Sequence, residues 1–308
     1  MSEGSILVTG GAGFIGSHLV SRLLEDHSEV IVLDDLSTGS AENVPADATL
    51  IKGSIADESV YDSLPSDVDI VFHLAAQSSG EASFDDPVGD FRSHMVGTFH
   101  LLQWCNNHSV DRFVYSSSMS VYGDTEYLPV NETHPTDPKT YYAAGKLAAE
   151  AYVSLFDNLG MNTTILRLFS VYGPGQNLNN MKQGMVSIYL TFLLEEDEIL
   201  VKGSLDRFRD LVFIDDVVDA LTAVVDETAA YGQVYNVATG NKTEVRELLD
   251  TMIECSEYDD FPIEVTTGTP GDQHGIFGDA SKIQKDVGWS ASTNLEDGLT
   301  EMIRAERN

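Results

Sequence analysis

Six short runs in the first half of the chain, at 5–10, 29–34, 49–53, 69–76, 112–118 and 163–169, are rich in Val, Ile, Leu and Phe and barely alternate. Near-continuous apolar runs of this length suit parallel strands buried on both faces. Between them the period changes to a helical one. Ile15, Leu19 and Leu23 recur every fourth residue; Met95, Phe99 and Leu102 follow nearly the same spacing, as do Leu147, Ala151 and Leu155. Repeated alternation of strand and helix predicts an α/β fold with a doubly wound parallel sheet. After Phe169 the rhythm breaks at VYGPGQNLNN, residues 171–180. A helical segment over 184–194, a strand at 211–214 and a helix bearing Val217, Leu221 and Val224 follow, with Asp215 or Asp216 placed to cap that helix. A strand at 235–238, a helix near 244–255 and the Gly/Pro-rich loop TTGTPGDQHG at 266–275 come next. No repeat and no flexible linker interrupts the chain, so two packed lobes joined by chain crossings are expected.

The 308 residues, 42% of them hydrophobic, suffice for a large core and exclude a disordered chain. No apolar run approaches the roughly 20 residues of a membrane span. The opening MSEGSILVTGG enters a strand without a basic segment or cleavage site, so a cytoplasmic protein is expected. Cys105 and Cys255 stand in no metal or redox spacing and are expected as packed, reduced thiols. No metal site is expected. Charge changes the picture more. Lys and Arg number 17 against 50 Asp and Glu, a net of −33. That field repels nucleic acid and anionic lipid, so neither is expected as a partner. The acids are scattered, as in EEDE at 195–198 and DD at 259–260, where exposed faces and loops are expected. Such self-repulsion is relieved by salt, whose Debye length is about 3 Å at 1 M. A salt-rich cytoplasm is therefore the expected setting, with an ordinary acidic protein as the alternative.

The first apolar run leads into TGGAGFIGS at 9–17. It satisfies Gly-x-x-Gly-x-x-Gly through Gly10, Gly13 and Gly16, and Gly-x-Gly-x-x-Gly through Gly11, Gly13 and Gly16. Glycines let the backbone turn tightly against a pyrophosphate, and the helix opening at Phe14 aims its free N–H groups and positive dipole end at that anion. The pattern is informative between a strand and a helix, which is where it lies. Asp34 ends the second run, where an acid reaches the ribose hydroxyls of a dinucleotide. It would repel a 2′-phosphate, and no Lys or Arg lies between it and Val44, so NAD is expected over NADP.

The fifth run ends in YSSSMSVYG at 115–123, and YYAAGK follows at 141–146. Tyr142 and Lys146 are four apart on a helical segment and share a face. A phenol near its free pKa of about 10 is a poor base. A neighbouring ammonium and the positive nicotinamide ring favour the phenolate. Ser118, at the carboxyl end of a strand, can hydrogen-bond a reacting oxygen. Tyr-x-x-x-Lys alone also describes an ordinary amphipathic helix; after a glycine loop, a ribose acid and a serine-ended strand it reads as catalytic.

Together these features resemble the extended short-chain dehydrogenases/reductases of the NAD-dependent epimerase/dehydratase family. TGGAGFIGS, VLDDLSTG, VFHLAA, SSSMSVYG, YYAAGK, RLFSVYGPGQ, RFRDLVFIDDV, YNVATG and DASKIQKDVGW match its motifs in order over nearly the whole length. The resemblance implies a Rossmann domain from 1–168 and 211–239 and a smaller, discontinuous α/β lobe from 169–210 and 240–308. It implies bound NAD, held by Gly10, Gly13, Phe14, Ile15, Gly16, Asp34, Ser37, Thr38, Ser54, Ile55, Leu74, Ala75, Ala76, His94, Tyr142, Lys146 and Phe169. Such enzymes make a 4-keto nucleotide sugar by passing the C4 hydride to NAD. Dehydratases and decarboxylases of the family carry an acid after the strand-five serine or threonine. Here Met119 and Ser120 follow Ser118, as in the UDP-galactose 4-epimerases, whose corresponding stretches SSSMSVYG and VLDDLSTG resemble.

By that resemblance Tyr142 is the base at the C4 hydroxyl, Lys146 tunes it and holds the nicotinamide ribose, and Ser118 steadies the C4 oxygen. Ser79, Ser170, Val201, Arg209, His274 and Phe277 complete the expected substrate contacts, with Arg209 on the diphosphate. Four positions depart from the family pattern. Ser54 replaces an Asp near the adenine, His94 an Asn, Ser170 an Asn, and His274 a second phosphate-binding Arg. A UDP-hexose is the expected substrate; another epimerase, dehydratase or reductase activity, or an idle NAD-binding module, are the alternatives. Phe277 falls where a bulky residue would exclude a 2-N-acetyl group. A homodimer is expected through helices near 88–109 and 141–157, using Val96, Leu101, Trp104, Ala148, Tyr152 and Phe156.

Overall fold

The computed structural model describes residues 5–27, 29–182, 184–195, 198–256, 258, 261–268 and 274–307. Glu196, Asp197, Asp259 and Asp260 of the two acidic runs, and 269–273 of the Gly/Pro-rich loop, lie outside them; Glu195 and Glu198 are exposed. The six apolar runs form β1 (Ser5–Thr9), β2 (Val30–Asp34), β3 (Thr49–Lys52), β4 (Val68–His73), β5 (Arg112–Ser118) and β6 (Asn162–Leu168). A later strand joins them. After β7 (Ser170–Tyr172), β8 (Ile199–Lys202), β9 (Phe208–Arg209) and β10 (Leu211–Phe213), β11 (Gln233–Val237) pairs with β6; β12 (Thr243–Glu244) and β13 (Ile263–Thr266) follow. The central sheet has seven strands in the order β11-β6-β5-β4-β1-β2-β3, and all its pairings are parallel. This is the doubly wound order with one strand added.

The helices are α1 (Phe14–Asp26), α2 (Pro87–Phe91), α3 (Thr98–Asn107), α4 (Tyr141–Asn158), α5 (Met185–Glu195), α6 (Ile214–Ala223), α7 (Val245–Cys255), α8 (Ser281–Val287) and α9 (Leu295–Arg307). Alternate residues of β1 show why both faces are covered. Ile6 and Val8 join the core that contains Leu19 and Leu23 of α1 and Val217 and Leu221 of α6. Leu7 joins the core that contains Leu101 and Cys105 of α3 and Val153 of α4. The helix expected around Met95 is a composite: a π turn over Arg92–Gly97 joins α2 to α3.

Two expectations are corrected. Asp215 and Asp216 do not cap α6; they lie in its first turn, after Phe213. Asp216 instead accepts from Ser292 N and Oγ and from Thr293 N, partners that no local pattern reveals. Within 211–239, β11 returns to the central sheet while β10 pairs with β7 outside it. Leu101, Trp104 and Phe156 are buried within their own chain, because α3 and α4 pack on each other and on the sheet. The large apolar side chains left exposed on α2 and α4 are Val88, Phe91, Tyr141, Tyr152 and Leu155, with Leu159 just beyond. Both cysteines are free thiols, and Cys105 is buried. No helix among the described residues is long and apolar enough to cross a membrane.

Candidate active site

The carboxyl ends of the central strands open into a cleft of about 1840 Å³, larger than the roughly 300–1,000 Å³ of a single small-ligand pocket. At one end lies the glycine loop. Gly10 has φ +75°, and a Cβ there would stand 2.6 Å from Ala75 N. A Cβ on Gly16 would meet Gly10 O at 2.1 Å, so any side chain would close the turn's interior. Gly13 stands at the N-cap of α1 without a side-chain cap, and the first turn carries no acid. In so acidic a chain, that leaves the helix N-terminus open to an anion. Asp34 closes this end of the cleft. Its Oδ2 accepts from Ala12 N at 3.0 Å and its Oδ1 from Leu36 N at 2.8 Å. Burial pushes its carboxyl up, and the two N–H groups draw it back toward ionisation. A pyrophosphate and a ribose diol fit this cradle.

Midway along the cleft, β5 and α4 meet. Thr140 Oγ1 accepts from Ala143 N at 3.0 Å and so starts α4 with Tyr142 in its first turn. Ser118 and Tyr142 line the cleft together, and the Ser118 hydroxyl donates to Ser120 Oγ at 3.2 Å. Lys146 Nζ donates to Ser116 O at 2.6 Å. Burial brings the ammonium down to about 8, while Glu150 and Asp90 pull it up. Tyr142 departs from expectation. Burial raises its phenol, the Ser118 hydroxyl lowers it, and Asp90 raises it further, so the net shift is upward. The lowering expected from Lys146 is absent from these causes.

Most of the expected residues line this one cleft: Gly10, Gly13, Phe14, Ile15, Gly16, Asp34, Ser37, Thr38, Ser54, Ile55, Leu74, Ala75, Ala76, Ser79, Ser118, Tyr142, Lys146, Phe169, Ser170 and Arg209. Four others are not on its wall. His94 is buried behind it, edge-on to the Tyr142 ring at 5.4 Å, and burial lowers its imidazole. Val201 points into the core, because β8 pairs with β13 in a register that turns Leu200 and Lys202 to the cleft instead. His274 is exposed and rests edge-on against Phe208. Phe277 packs against the same ring at 6.3 Å.

The sequence matches the NAD dependent epimerase/dehydratase family over residues 6–238, the span that carries the glycine loop, Ser118, Tyr142 and Lys146. The chain belongs to this family. NAD is accordingly its cofactor, and the glycine-loop cradle fits it. A UDP-glucose 4-epimerase of Mycolicibacterium smegmatis is 36% identical, with 98% of each chain covered. The fold is similar to UDP-glucose 4-epimerase of Thermotoga maritima solved with UDP-glucose, at a TM-score of 0.94 and 34% identity over 98% of each chain. It is similar also to UDP-glucose 4-epimerase of Thermus thermophilus in complex with NAD, at a TM-score of 0.90 and 31% identity over 99% of each chain.

For a member of this family, the far end of the cleft holds cations that motif reading missed. Lys202 and Arg207 line it beside Arg209. Burial, with Arg207 nearby, brings Arg209 down to about 10. Among the described residues the wall carries Lys139, Lys146, Lys182, Lys202, Arg207 and Arg209, six of the chain's 17 cations. It carries as many acids (Asp34, Asp35, Glu81, Asp85, Asp86 and Asp90), against 50 in the whole chain. The cleft is thus balanced in charge while the protein is strongly negative. Arginines two apart in a chain with so few cations were the available signal.

Proposed function

We propose that the protein interconverts UDP-glucose and UDP-galactose by epimerisation at C4 through a 4-keto sugar. The observation that carries this reading is that Ser118, Tyr142 and Lys146 line one cleft together, with Met119 and Ser120 rather than an acid following Ser118 along the chain. NAD, held at the glycine loop and Asp34, would supply the acceptor and donor of the C4 hydride. Tyr142, as phenolate, takes the proton of the C4 hydroxyl, and Ser118 holds the C4 oxygen while it becomes a carbonyl. Lys146 keeps a positive charge beside this step. The keto sugar then turns its other face to the ring, and Tyr142 gives the proton back to the same oxygen. Elimination or decarboxylation would ask for a further acid or base next to Ser118, and Met119 and Ser120 supply none.

The lobe formed by 169–210 and 240–308 is assigned to the nucleotide sugar, with Arg209, Lys202 and Arg207 facing the diphosphate. Charge-assisted bonds to phosphate hold the substrate against the repulsion of the rest of the chain. The exposed apolar side chains of α2 and α4 support an isologous homodimer, and the net charge supports work in a salt-rich cytoplasm. The test is incubation of the holoenzyme with UDP-glucose in molar KCl, followed by resolution of the product sugars. UDP-galactose is the expected product. A 4-keto-6-deoxy sugar, a pentose, or no conversion refutes the reading.

A further inference from the structure

Tyr142, Lys146 and Glu150 follow one another at steps of four along α4, on one face and over about 12 Å. The last three residues of β5 meet them one for one. Ser118 lines the cleft beside Tyr142, Ser116 O accepts from Lys146 Nζ at 2.6 Å, and Ser117 Oγ donates to Glu150 Oε1 at 2.5 Å. Glu150 has a second partner. Arg167 stands on β6 directly opposite Ser117 in the strand register. Its Nε donates to Glu150 Oε1 at 2.9 Å and its Nη2 to Oε2 at 2.7 Å. Both side chains of this pair are 7% exposed. Arg167 is itself held over the ring of Tyr122, 4.9 Å from its centre, and Tyr122 donates to Asn236 Oδ1 at 2.6 Å. One carboxylate on α4 is thereby tied to three strands, β5, β6 and, through Tyr122 and Asn236, β11.

We propose that the buried Glu150–Arg167 pair is a positioning element of the catalytic site, fixing the height and rotation of α4 against β5 so that the Tyr142 phenol stands at Ser118. The proposal rests on the reading of Tyr142 as the base. A buried ion pair is a poor way to gain stability, since apolar side chains of like volume serve as well or better. What a bidentate fork adds is direction: it sets an angle as well as a distance. Van der Waals packing alone would let α4 slide or turn by a fraction of a residue, and two helical turns away that displacement falls on the phenol. The fork also holds the Glu150 carboxylate on Arg167, four residues along α4 from Lys146.

The test compares Glu150→Gln and Arg167→Lys with wild type as holoenzymes in molar KCl. Glu150→Gln keeps the size and the Ser117 contact but loses the ionic fork. It should lower kcat for UDP-galactose at least tenfold, with KM and bound NAD per chain within twofold. Removing a carboxylate about 12 Å from Tyr142 should also move the Tyr142 phenolate titration, read as the difference in absorbance against Tyr142→Phe, down by about half a unit. Arg167→Lys keeps both charges and loses the fork, so kcat should fall while the titration stays. Should Glu150→Gln fail to fold, the apolar pair Glu150→Leu/Arg167→Met replaces it, expected to be folded, NAD-loaded and at least tenfold slower. Wild-type kcat in that pair, or in Glu150→Gln with an unmoved titration, overturns the proposal. Failure of the functional reading looks different: wild type would not convert UDP-galactose, or Tyr142→Phe would keep its turnover.

Discussion

Replacing Lys146 by Met should separate stability from catalysis at one position. The side chain is 4% exposed, bonded to Ser116 O and 5.0 Å from the centre of the Tyr115 ring. Burial brings its pKa from 10.5 to about 8, a depression equivalent to ~3 kcal/mol against the charged form at neutral pH. Met fills a similar volume without charge and forfeits one hydrogen bond, worth about 1–2 kcal/mol. The variant should therefore be more stable at pH 7 by ~1–2 kcal/mol, a rise of a few degrees in Tm. The pH dependence has a definite sign. Below about 8 the wild-type lysine is charged in both states and its penalty is complete. Between about 8 and 10.5 the unfolded chain binds the proton and the folded one does not, so wild-type stability rises relative to the variant. The gap should close through this window and then reverse, as the retained hydrogen bond favours wild type. Thermal unfolding followed by circular dichroism, on nucleotide-free protein in molar KCl at pH 7 and pH 10, measures it. Turnover by the variant should fall at least a hundredfold. A gap that does not change with pH, or a variant less stable than wild type at pH 7, refutes the reasoning.

Tyr142→Phe should keep the fold and bound NAD and lose about 10²–10⁴ in kcat; more than a tenth of wild-type turnover would remove Tyr142 from the role of base. Ser118→Ala should be milder, by about 10–10²-fold, because the base remains. Leu155→Glu places a charge on the exposed apolar face of α4 and should yield monomers by light scattering where wild type gives dimers; a wild-type monomer at micromolar concentration dismisses the interface. Tm and turnover should both rise from dilute buffer to molar KCl, since 33 excess negative charges repel one another and the anionic substrate less when screened. A flat or falling response would leave the charge without this explanation.

What the sequence made legible was local. Strands buried on both faces have to be apolar throughout, so β1, β2, β4, β5 and β6 were readable to within a residue or two at most ends. The glycine loop, Asp34 and the Tyr142–Lys146 pair each draw their geometry from neighbours in sequence. What escaped depends on distant partners. The inward turn of Val201 is set by pairing with Ile263–Thr266 more than fifty residues on. Asp216, a good cap by type, is taken by Ser292 and Thr293. Trp104 and Phe156 looked surplus to their helices until α3 and α4 were seen to pack together. The upward shift of Tyr142 follows from burial set by its tertiary surroundings, which no motif encodes.

The pairing of β11 with β6 has a consequence for synthesis. Every other strand of the central sheet has been synthesised by residue 168, but the one that covers the flank of β6 is not complete until residue 237. In the interval a nascent chain exposes an apolar strand edge able to pair with another chain. The intervening residues, including β7 to β10 and α6, must emerge before that edge is sealed. A fragment cut after β6 should for the same reason aggregate rather than persist as a small nucleotide-binding unit, and the gene is expected to tolerate neither splitting nor a long insertion between β6 and β11.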